Sequence, residues 1–168
     1  MKKNVLVLFR GKSGEHEVSL ISAAQVLPNI DAEKYNVIKI GITKEGRWYQ
    51  TFASPEQIAN GEWENLPKRM AFVSPDRGIR GVFVADGDKS ETIHIDVAFP
   101  LMHGTYCEDG CIQGLFELAG IPYVGSGVLS SALCMDKGYL KIVLKDAGIP
   151  QAKWVVVSRS EAENAYKK

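Results

Sequence analysis

Residues 4–9 (NVLVLF) are apolar without interruption from Val5 onward. A strand covered on both faces reads this way, as in a parallel sheet. The run stops at Arg10-Gly11-Lys12-Ser13-Gly14, a turn-rich loop. Leu20, Ile21, Ala24 and Leu27 then recur at helical spacing, predicting a helix from about Val18 that ends near Pro28. Residues 36–42 read as a second strand, and Gly46 turns the chain into 47–50. The stretch 53–94 is irregular, with short strands at 70–73 and 81–84 and another around 93–99. Residues 97–102 are apolar and run into His103-Gly104, followed by Glu108-Asp109-Gly110. Ile112, Leu115, Phe116 and Ala119 share one helical face, and Gly120 stands where a C-cap belongs. A short strand is expected over 121–124. Gly125-Ser126-Gly127 opens one longer helix to Ala147, closed by Gly148 and Pro150. Residues 153–157 read as a strand. A last helix starts near Ser158, with Ser160 and Glu163 in capping-box spacing. Strands alternating with helices predict an α/β fold with a mainly parallel sheet. There is no internal repeat.

Composition narrows the possibilities. The 168 residues suit one domain, or one domain and part of another. Twenty Lys and Arg balance twenty Asp and Glu, so a sequence-wide nucleic-acid or anionic-membrane binder is not expected. No apolar stretch approaches the ~20 residues of a membrane span. The run 4–9 is too short for the core of a signal peptide and meets Arg10 directly. Cys107, Cys111 and Cys134 fit neither a disulfide set nor a familiar zinc spacing, so reduced thiols and a cytoplasmic location are expected.

Gly11-Lys12-Ser13 after a strand suggests a phosphate-binding P-loop, but the required earlier glycine is Leu6, inside the strand. The place still matters, because ligands in open α/β sheets sit at the carboxyl ends of strands, beside helix N-termini. Glu15 lies in that loop, where its carboxylate could receive a ligand ammonium; complementing the helix dipole is the plainer reading. Gly125-Ser126-Gly127 imitates a dinucleotide fingerprint, yet Asp146 sits on a helix and not at a strand end, so a nicotinamide site is not supported. His103 follows an apolar strand, where imidazole could hydrogen-bond an acyl or phosphate oxygen. A structural histidine is the alternative. His16 and His94 lack such a setting. Lys137 and Lys141, one helical turn apart near the apolar Ala132-Leu133-Cys134-Met135, suit a nucleotide phosphate or simply a solvated face.

Together these pieces resemble a known family. Residues 11–20 (GKSGEHEVSL) look like the first signature of the D-alanine–D-alanine ligases of the ATP-grasp superfamily. Residues 103–110 (HGTYCEDG) look like the second, continuing through Gln113-Gly114, 117–123 (ELAGIPY) and 125–127 (GSG). Residues 131–137 (SALCMDK) with Lys141 are similar to the third. The resemblance covers residues 4 to about 157. It implies a Rossmann-like substrate-binding domain over 1–125 and the incomplete start of an ATP-grasp central domain over 126–168. It implies ligation of two D-alanines for peptidoglycan precursors, through an acyl phosphate, with ATP and Mg²⁺. By motif position, Glu15 would bind the first D-alanine's ammonium and Val18 would line that site. His103 would sit beside the substrate and acyl phosphate, and Lys137 would contact ATP. The metal ligands would lie beyond residue 168. Homodimerisation through the N-terminal domain is implied, with 53–94 as the candidate surface.

Arg10 stands where the family usually has a second glycine, and Cys107 and Cys111 where glycine and threonine are common. Family members are considerably longer, so a fragment inactive alone is expected. Two alternatives stay open: a stand-alone binding module, and a ligase that takes D-lactate or D-serine as second substrate.

Overall fold

The structure is a computed structural model that describes residues 1–10, 16–158 and 160–162. Its centre is strand β1, Lys3–Arg10. Parallel to it on one side lies β2, Tyr35–Ile42, and on the other β7, Val97–Leu101. Helix α1, His16–Val26, connects β1 to β2. The order is completed by β3 (Trp48–Thr51), β4 (Lys68–Val73), β5 (Gly81–Asp86) and β6 (Lys89–His94). The seven-stranded sheet runs β6-β5-β4-β3-β2-β1-β7.

The α/β expectation holds, but the sheet is mixed. Only β2, β1 and β7 are mutually parallel; β2 through β6 pair antiparallel. The physical reason is in the connections. Connections of five, seven and two residues join β2 to β3, β4 to β5 and β5 to β6, too short for the crossover a parallel pair needs, and the longer segment 52–67 between β3 and β4 also returns the chain antiparallel. The expected strand around 93–99 is two strands. Ile95 is fully buried at a corner between β6 and β7, and Asp96 binds the Asn4 amide at 2.7 Å, tying that corner to the start of β1.

The apolar run of β1 is divided between two cores by strand periodicity. Leu6 and Leu8 face one side with Ile38, Ile40, Val82, Val84, Ile112 and Phe116. Val5, Val7 and Phe9 face the other with Leu20, Ala23, Ile58 and Trp63. A one-residue slip would exchange the two sets, so the register is strongly specified. Helix α3, Cys111–Ala119, covers the first side and α1 the second. Gly120 adopts φ 66° and ends α3 with the Ile121 amide reaching back to Phe116 O, as its position predicted.

The nominally irregular stretch carries a core anchor. Ser54 caps a short helix α2, Pro55–Ala59, through a capping box with Gln57. The turn beyond it drives Trp63 fully into the core, edge-to-face with Phe9 at 5.3 Å. Gly41 provides the slot, since a Cβ there would meet the indole at 2.5 Å.

Downstream the expectations fare less well. Residues 121–124 make a single parallel bridge, Ala98 to Tyr123, along the outer edge of β7. The single long helix is two, α4 (Val128–Met135) and α5 (Lys137–Asp146). Asp136 divides them by accepting the Gly138 and Tyr139 amides, and so starts a new helix. Residues 153–157 form no strand, because none of the described residues pairs with them. Glu163 and the expected helix body lie outside the described residues.

Candidate active site

Phe9 pairs with Leu101, so the parallel strands β1 and β7 end side by side. From β1 the chain crosses one face through α1; from β7 it crosses the other through α3. That divergence is a topological switch point, where α/β sheets hold their ligands. Glu15 and the rest of 11–15 lie outside the described residues.

His103 leaves β7 at this point and is half-buried. Its Nε2 lies 3.0 Å from Ser22 Oγ on α1. One turn earlier on that helix, buried Ser19 donates to Leu101 O at the end of β7. Two serines therefore stitch α1 to the β7 exit. Val18 is exposed in the first turn of α1, and its carbonyl accepts the Ser22 hydroxyl at 3.0 Å. Val18 and His103 are thus joined through Ser22. Ser22 was not among the residues singled out from sequence, although its spacing of four from Val18 places it on the same helical face.

The loop 103–110 is locked by its own acidic residues. Glu108 accepts the Gly104 amide at 2.7 Å, and Asp109 accepts those of Tyr106 and Cys111 at 2.8 and 3.1 Å. Burial works against ionisation of Asp109, but these amide donors outweigh it and hold the carboxyl below its ordinary range. Gly104, Tyr106 and Gly110 all have positive φ. At Gly110 a Cβ would also come within 2.9 Å of Val128 O, so the loop packs closely on the start of α4. Cys107 is buried beneath the loop. Desolvation, with help from the Glu108 and Asp109 charges, pushes its thiol up to about 12, which makes it a packing group and not a nucleophile. Gln113, 6% exposed, donates to Cys107 O at 2.7 Å and supports the loop from α3.

A cavity of about 410 Å³ opens here, between His103, Cys107 and Gln113 on one side and Gly125, Ser131 and Cys134 on the other. Lys137 is not part of its lining. It stands exposed at the start of α5 and donates to Cys134 O at 3.0 Å. The amides at that helix end are already taken by Asp136, so an anion would meet Lys137 by its ammonium alone. His94 is exposed, 3.9 Å from Asp96, and its carbonyl accepts from Asn4 at the start of β1, the opposite end of that strand from the site. Among the described residues no group of three His, Cys, Asp or Glu side chains is arranged to hold a metal ion. No helix among them is long and apolar enough to cross a membrane.

An α/β domain with a small-molecule crevice at its switch point is the class this geometry defines. Residues 4–126 match the family described as D-ala D-ala ligase N-terminus, and the chain belongs to that family. A D-alanine–D-alanine ligase of Clostridium acetobutylicum is 50% identical over 161 residues, covering 96% of this chain and 43% of the relative. The solved VanG D-Ala:D-Ser ligase of Enterococcus faecalis is similar at TM-score 0.87 and 41% identity, over 99% of this chain and 48% of that one. A D-alanine–D-alanine ligase of Bacillus anthracis, solved in complex with ATP, is similar at TM-score 0.59 and 26% identity, over 98% and 43%. The chain spans about half the length of the relatives it matches.

Proposed function

We propose that this chain is the N-terminal part of an ATP-dependent ligase that joins two D-alanines for peptidoglycan precursors in the cytoplasm. The observation that carries the reading is His103, held by α1 at the switch point where β1 and β7 end, in a chain of this family. Residues 1–125 form the substrate-binding domain and 126–168 open the ATP-grasp domain. ATP supplies the phosphoryl group that turns the first carboxylate into an acyl phosphate, which the second amine attacks with release of phosphate. Glu15 receives the first D-alanine's ammonium, and Val18 lines its side. His103 sits beside the first D-alanine and the acyl phosphate formed from it. Lys137 offers charge to ATP phosphate. The metal ligands belong to the part of the enzyme beyond these residues.

The test is product analysis with the intact enzyme of which this chain is the N-terminal part. D-alanine and ATP should give ADP, phosphate and the dipeptide, and absence of dipeptide overturns the reading. Adding D-serine or D-lactate asks which second substrate is taken; likeness to the D-Ala:D-Ser ligase makes D-serine the informative competitor. Glu15→Gln should lower kcat/KM for the first D-alanine by roughly 10- to 100-fold, the worth of a charged hydrogen bond. Unchanged kinetics would remove Glu15 from its role.

A homodimer through 53–94 belongs to the same proposal. Met70 and Phe72 are exposed on one face of β4, and Phe72 stacks on Phe83 at 5.1 Å. Such an apolar stripe suits a partner copy. Sedimentation of the full chain should show a dimer that Phe72→Lys dissociates.

A further inference from the structure

We infer that Ser22 is a positioning residue that sets the tautomer and orientation of His103. The inference deepens the proposed function and rests on His103 facing the substrate.

The Ser22 hydroxyl has one proton to share between two contacts. Ser22 Oγ makes two contacts of 3.0 Å, to Val18 O and to His103 Nε2. A carbonyl can only accept, so the single hydroxyl proton goes to Val18 O. The second contact then needs its proton from the ring, which makes Nε2 the protonated nitrogen. Nδ1 is left bare, with a lone pair for an incoming donor. Among the described residues Nδ1 has no hydrogen-bond partner. The ring also lines the cavity. Its only polar atom not engaged by α1 is therefore the one a ligand would meet.

The serine can hold this role because it is itself fixed. It is half-buried on α1, bonded back to its own helix, one turn from Ser19, which ties that helix to β7. Both ends of the Ser22–His103 contact are thus anchored on elements that flank β1. An imidazole whose second nitrogen is held in this way has one tautomer and one ring orientation.

The experiment reads the ring directly. Long-range proton–nitrogen NMR on the full chain labelled at histidine, at a pH where the rings are neutral, should place the His103 proton on Nε2. A proton on Nδ1 overturns the inference. In Ser22→Ala the His103 nitrogens should move toward averaged values, while His94 stays unchanged as a control for folding. An unaltered His103 spectrum overturns it as well. Ser22→Cys, which keeps the volume but is a poor acceptor, serves if alanine disturbs α1. In the ligation assay Ser22→Ala should lower kcat about tenfold, one hydrogen bond's worth, with KM for ATP unchanged. Ser22→Thr, which keeps the hydroxyl, should recover most of that loss. Equal losses in the alanine and threonine variants would reduce Ser22 to a packing group and overturn the role. The two readings fail separately. The expected tautomer in a protein that forms no dipeptide leaves Ser22 standing and removes the ligase. An active ligase indifferent to Ser22→Ala does the reverse.

Discussion

Strand β1 and helix α5 each carry five apolar residues and meet opposite fates. In β1 every residue from Val5 to Phe9 is buried, because a helix covers each face of the sheet. In α5 no residue is buried, and Tyr139, Ile142 and Val143 face water. From Pro122 onward the one buried residue among those described is Ser131. Leu129, at 79% exposure, and Val155 and Val156 extend the uncovered surface. An amphipathic pattern makes a helix possible, but only a second layer turns its stripe into a core. The proposed second domain gives these faces that layer.

The contrast is open to attack at several points. Trp63→Ala removes the largest fully buried side chain and should cost roughly 3–5 kcal/mol in urea unfolding. Leu129→Ala, in the uncovered region, should stay within about 0.5 kcal/mol. Comparable costs at the two sites would break the comparison. A smaller effect is expected at the seam between the regions. Gly110→Ala meets a φ of 93° and the Val128 carbonyl, and should cost about 1–3 kcal/mol. A neutral result would mean that the His103 loop and α4 move apart freely.

The mildest test uses the thiols. At pH 8 an alkylating reagent should modify exposed Cys134 and leave buried Cys107 untouched until unfolding. Cys111 should react slowly, since its hydrogen bond to Asp109, then burial, raises its pKa. The same burial makes stability pH-dependent. Cys107 keeps its proton to about 12 when folded but releases it near 9 when unfolded. Between those values the unfolded state binds fewer protons, so stability should fall as pH rises from about 9. A flat profile there, measured against Cys107→Ala, would remove the thiol from a dry site.

Much of the fold was legible because several residues have one physical use. Val5 to Phe9 could only be a doubly covered strand, and Gly120 could only end α3. His103 was placed by following an apolar strand to its end. Other features depend on partners that spacing does not name. Residues 153–157 are rich in β-formers, but a strand exists only when another strand pairs with it. Asp136 sits within a continuous helical period, and its capping of a new helix competes with that period unseen. Trp63, on a turn, is buried only because Gly41, on β2, leaves room for it. Ser22 carries no signal of its own as a serine in a helix. Its meaning comes from His103, 81 positions away.

The position of β1 has a consequence in time. Its first partner, β2, follows closely in the chain, but Val5 meets Val97 only after all of β3 to β6 has been made. At ribosomal rates of about 5–20 residues per second, the roughly fifty intervening residues take about 3–10 s to synthesise. For that interval the strand with the longest unbroken apolar run, Val5 to Phe9, has one bare edge. The nascent chain is then most exposed to mispairing, and the arrival of β7, which delivers His103, ends the exposure. Completion of the sheet and delivery of this candidate catalytic residue are one event in the life of the chain.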